Sequence, residues 1–88
     1  MTITAQPTDQ TAQAGADAAF SLRASGNGLS YRWQRLDSRT GAWTDCGDRS
    51  TLTLQGLAKT DNGAQFRCIV TDGNGKSITS DIATLTVR

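Results

Sequence analysis

Histidine and glutamate are both missing from this 88-residue chain. Without histidine there is no ready base to activate a serine or cysteine, which argues against Ser-His and Cys-His nucleophilic chemistry. Two cysteines and no histidine cannot supply the four ligands of a structural zinc site, and neither a metal nor a cofactor is expected. Lysine occurs only twice, so the residues that favour exposed helices are scarce, and no stretch carries sustained helical periodicity. No apolar run approaches the ~18 residues of a membrane span, and membrane insertion is not expected. No signal peptide is read, an absence that a piece cut from a longer precursor would share. Nine basic and eight acidic residues give a net charge of +1. They are mixed along the chain with no run of one sign, which argues against a nucleic-acid stripe.

What is present favours strands. Thirteen threonines suit a pleated surface because their branched side chains are stiff at χ1. Nine glycines fall mostly in clusters that read as turns. The length corresponds to one domain, residues 1–88. A chain this short has a thin stability margin and is often helped by a disulfide or a neighbouring module.

Alternation of apolar and polar residues locates the strands. Segment 2–15 starts extended, and Pro7 fits an edge or a strand that changes sheets. In 18–24, Ala18, Phe20, Leu22 and Ala24 share a face. In 29–36, Leu29, Tyr31 and Trp33 oppose Ser30, Arg32 and Gln34. A turn at 37–41 makes 42–46 a hairpin partner. Leu52 and Leu54 share a face in 50–55, and 56–63 reads as a corner. In 64–71, Ala64, Phe66, Cys68 and Val70 point inward against Gln65, Arg67 and Ile69. Asp72-Gly73-Asn74-Gly75 is a hairpin turn. In 76–87 the face parity changes near Ser80, which predicts a bulge. About seven short antiparallel strands at this spacing predict two sheets packed face to face. The expected core includes Leu22, Trp33, Leu54, Phe66 and Cys68.

Leu22, Trp33 and Cys68 also stand at the spacing of the core positions on strands B, C and F of immunoglobulin domains. Tyr31-Arg32-Trp33-Gln34 resembles the strand C motif, and Asp61-Asn62-Gly63 followed by Phe66-Arg67-Cys68 resembles the corner leading into strand F. Nearly the whole chain resembles the immunoglobulin-like modules of multidomain bacterial surface proteins and secreted enzymes. YRWQ, W-x-x-C, FRC-x-V-T-D-x-N-G-K and a final ATLTV together carry that likeness. It implies an all-β Greek-key sandwich and an extracellular or cell-surface setting. Three departures stand out: Leu22 replaces the first disulfide cysteine of antibody-type domains, Phe66 replaces the corner tyrosine, and one extra residue separates Asp61 from Cys68.

Cys46 and Cys68 have three readings: a bridge, two free buried thiols, or one reactive thiol. The resemblance implies the bridge, between strands C′ and F, and an extracellular setting permits it. It would contribute on the order of 3 kcal/mol. Strand C should lie between the two, so Cys46 would have to curl over the sheet edge, and a Cα separation beyond ~7 Å would forbid the bond.

Two functions compete. In the first, the chain is a non-catalytic spacer whose partners are neighbouring domains of the same chain, monomeric in isolation. In the second, it recognises a protein or glycan through the C–C′–F face, with Arg32, Gln34, Trp43, Arg67 and Ile69 as the candidate surface. Trp43 either covers one end of the core or lies partly exposed, where it could stack on a sugar ring or anchor a protein partner. The same face read plainly is a solvated sheet surface whose arginines pair with aspartates. Asp72-Gly73-Asn74-Gly75-Lys76 weakly resembles a calcium loop, but a lysine stands where an oxygen ligand is needed and no glutamate follows.

Overall fold

The alternation that marks strands in the sequence is realised along both long strands of the chain. The computed structural model describes residues 2–36 and 40–88, so residues 37–39 of the expected 37–41 turn lie outside the described residues. Strands run as β1 (Thr2–Ala5), β2 (Gln10–Ala12), β3 (Ala18–Ser21), β4 (Arg23–Ser25), β5 (Ser30–Leu36), β6 (Trp43–Gly47), β7 (Thr51–Leu54), β8 (Ala64–Thr71), β9 (Ser77–Thr79) and β10 (Ala83–Val87). A one-turn 3-10 helix, Lys59–Asp61, occupies the expected corner. Ten strands appear among the described residues where about seven were expected, because three of the expected runs are each split in two.

Each split has a local cause. Pro7 is buried between β1 and β2 and lacks the N–H that a ladder needs. The chain changes sheets there: β1 pairs antiparallel with β4, whereas β2 pairs parallel with β10. The expectation of antiparallel pairing throughout therefore fails at β2, since a chain that crosses between layers without reversing keeps its direction. Between β3 and β4, Leu22 leaves the ladder and its N–H donates to Ser50 O at 3.0 Å. Between β9 and β10, the register against β8 slips by one residue, from Ile69↔Thr79 to Phe66↔Ala83. This is the bulge expected near Ser80. Ser80 N–H there donates to Cys68 O at 2.8 Å, while side chains take the next free donors: Asp81 N–H donates to Gln6 Oε1 at 2.9 Å and, in β10, Thr84 N–H to Asp9 Oδ1 at 2.8 Å.

One sheet has the order β2-β10-β8-β5-β6, with β9 also on β8; the ladders β1-β4 and β3-β7 lie apart from it. This all-β layering is consistent with a β-sandwich. The core takes Phe20, Leu22 and Leu52 from the two small ladders and their junction, and Trp33, Phe66, Cys68, Val70, Ala83, Leu85 and Val87 from the larger sheet, all at most 6% exposed. Phe20 sits against Phe66 at 5.0 Å and Trp33 at 6.4 Å between ring centroids. Trp33 is fully buried, and its indole N–H is satisfied by Arg49 O at 2.7 Å. Leu54 corrects the expected core: it pairs with Ala18 at the last rung of its ladder and is only partly buried. Leu57, in the corner, is buried instead.

Candidate functional site

The outer face of the larger sheet is built by the side chains left over once β5 and β8 commit their apolar faces to the core. Register sets their neighbours: Gln34 stands beside Arg67 on one side and Asp45 on the other, and Arg32 stands beside Ile69. A chain of contacts follows. Arg67 Nε donates to Gln34 Oε1 at 2.9 Å, and Gln34 Nε2 donates to Asp45 Oδ1 at 3.0 Å. Arg32 Nε lies 3.7 Å from Asp45 Oδ2, with both side chains about 60% exposed; a contact this open contributes little. The Arg67 guanidinium lies 4.2 Å above the centroid of the Trp43 ring, within cation–π range.

Trp43 is partly exposed, with Arg67 stacked on one ring face. Arg32, Gln34, Trp43, Arg67 and Ile69 do share one surface. Asp45, which ties Gln34 and Arg32 together, was missed, although its place two residues after Trp43 on the same strand was legible from period two. Beside this row an open groove of about 650 Å³ runs over β5, with Arg32, Asp45, Cys46, Ile69, Thr71 and Ser77 among its walls.

The expected bridge is not formed: Cys46 and Cys68 are free. Trp33 pairs with Gly47 and with Cys68, so β5 separates the two cysteine strands. Two strand spacings amount to about 9–10 Å, beyond the reach of a disulfide. Moreover, the register steps from Trp33↔Gly47 to Gln34↔Asp45, so Cys46 is the extra residue of a bulge on an edge strand. It is exposed, whereas Cys68 is buried. Burial pushes the Cys68 thiol up to about 11. The Cys46 thiol is also raised, chiefly by partial desolvation, with Arg35 opposing and Asp45 adding. Neither is poised as a thiolate near neutral pH.

The carboxylate of Asp72 serves its own turn. Oδ1 accepts from Asn74 N–H at 2.9 Å and from Lys76 N–H at 3.0 Å, which is hairpin chemistry. Among the described residues no group of three or more His, Cys, Asp or Glu side chains could hold a metal ion, and no helix is long and apolar enough to cross a membrane.

No protein-family model matches the chain. Over 89 aligned residues, covering 98% of the chain, it is 39% identical to a stretch of Endoglucanase C of Cellulomonas fimi. That stretch is 8% of the relative's length, so the chain corresponds to a small part of a much longer protein.

Proposed function

We propose that the chain is a non-catalytic structural module, an immunoglobulin-like Greek-key β-sandwich that spaces or supports other domains of a modular bacterial protein outside the cell or at its surface. The observation that carries this reading is the match that takes in 98% of the chain but 8% of a relative named as an endoglucanase. A segment so small is more simply an accessory to such an enzyme than its chemistry. The strand order β2-β10-β8-β5-β6 with β3-β7 outside it supports the sandwich type. Shape supports the spacer role. The molecule measures 40 × 25 × 16 Å. Thr2 is level with Ser25, beside the 26–28 turn, whereas Val87 is level with Ala12 and held by Asn62 at the opposite end. Copies or neighbours could therefore join end to end. The isolated chain is a monomer on this reading.

A recognition role is the second reading, supported by the surface that Trp43 retains and by the groove beside it. Calorimetric titration of the isolated chain with soluble β-glucan oligosaccharides, together with sedimentation on insoluble cellulose, separates the two. No saturable binding is expected. Saturable binding that Trp43→Ala abolishes would replace the spacer with a glycan-recognition module.

A further inference from the structure

Three Asn-Gly steps occur in the chain: Asn27-Gly28, Asn62-Gly63 and Asn74-Gly75. At such a step the backbone nitrogen of the following residue can attack the asparagine side chain, because glycine brings no side chain to block the approach. That nitrogen must be free to react, and an N–H already donating to a carbonyl must first give up its bond.

The fold treats the three steps differently. Gly63 N–H donates to Leu85 O at 2.7 Å, and Asn62 Oδ1 accepts from Val87 N–H at 3.0 Å, so both the attacking and the attacked groups are held. Gly75 N–H donates to Asp72 O at 3.1 Å. Gly28 N–H has no acceptor among the described residues. Asn27 and Gly28 are both exposed, outside any strand.

We propose that Asn27 is a spontaneous modification site, which deamidates through Gly28 ahead of the other two asparagines. Gly28 N attacks Asn27 Cγ and closes a succinimide ring. The Cγ–Nδ2 bond breaks, and the amide nitrogen leaves as ammonia with the proton given up by Gly28 N. Water then opens the ring at either carbonyl, yielding aspartate or isoaspartate. The net exchange is one water in and one ammonia out, with no change of oxidation state. The product bears on the fold, because Asn27 O accepts the Gly73 N–H at 3.0 Å, and a Cβ on Gly28 would lie only 3.0 Å from Gly73 Cα. Isoaspartate lengthens the main chain at this close approach and displaces the carbonyl that holds the second turn.

The folded protein is incubated at mildly alkaline pH and digested with trypsin, which places the three steps on separate peptides, 24–32, 60–67 and 68–76. Mass spectrometry follows replacement of the amide by the acid in each. The Asn27 peptide is expected to convert at least about fivefold faster than the Asn74 peptide, the ratio that one retained hydrogen bond corresponds to, and Asn62 is expected to be slowest. In denaturant the three rates should converge, since each asparagine precedes a glycine. Asn62 or Asn74 converting as fast as Asn27 in the folded protein would overturn the proposal. So would the same rate ratios persisting in denaturant, because local sequence and not the fold would then set the order.

Discussion

Arg35 Nη2 lies 2.9 Å from Asp61 Oδ1, and the other oxygen of the same carboxylate accepts the Ala58 N–H at 3.0 Å. One side chain therefore ties the middle of the larger sheet to the turn that starts the 3-10 helix. The Ala58 hydrogen bond first, and Arg35 second, hold the Asp61 carboxyl below its ordinary range. Its folded value lies below its unfolded one, so its contribution to stability is full above about pH 4 and is lost as pH falls through the folded value. Asp61→Asn should flatten the acid limb of a stability–pH curve followed by urea denaturation. Asp61→Ala, measured at neutral pH, should cost about 1–2 kcal/mol.

Thiol labelling should separate the two cysteines. In the folded protein an alkylating reagent should modify Cys46 alone, because Cys68 is buried and its thiol is raised to about 11. In denaturant, without reductant, intact mass should show two labels. A protein that takes none would contain the bridge that β5 precludes here. Burial favours the neutral Cys68 thiol, so its share of stability is present below its ordinary 9.0 and is lost as pH rises toward about 11.

Ser80 closes the β9–β10 bulge by accepting the Cys68 N–H on its hydroxyl at 2.8 Å while its own O–H donates to Asp81 O at 3.0 Å. Ser80→Ala removes that acceptor inside the core and should cost about 1–3 kcal/mol in chemical denaturation. Ser80→Thr, which keeps the hydroxyl, should recover part of the loss.

Trp33 is the largest fully buried side chain. Trp33→Ala should cost about 3–5 kcal/mol, comparable to the whole stability of a domain this size, and should leave much of the protein unfolded by circular dichroism. Trp33→Phe fills most of the volume but orphans Arg49 O, so a smaller loss is expected.

Arg67→Ala should uncover Trp43 with a stability change of about 1 kcal/mol or less. In a Trp33→Phe background, where Trp43 is the only indole, its fluorescence should shift toward the solvent-exposed range. An unchanged spectrum would mean that Arg67 does not cover the ring in solution.

Period-two patterning was enough to place Phe20, Leu22, Trp33, Phe66, Cys68 and Val70 in the core and to put Arg32, Gln34, Arg67 and Ile69 on one outer face, because alternation along a strand is a local property. The absence of histidine and the Asp72-Gly73-Asn74-Gly75 turn were equally legible, since each depends on residue chemistry at adjacent positions. Other features depend on which strand lies beside which and in what register. Only the tertiary structure decided that Cys46 is a bulge residue two strands from Cys68, that Leu57 is buried where Leu54 is not, that β2 runs parallel to β10, and that Asp61 answers Arg35. Those relationships join residues far apart in the chain, and no local pattern encodes how its layers close on one another.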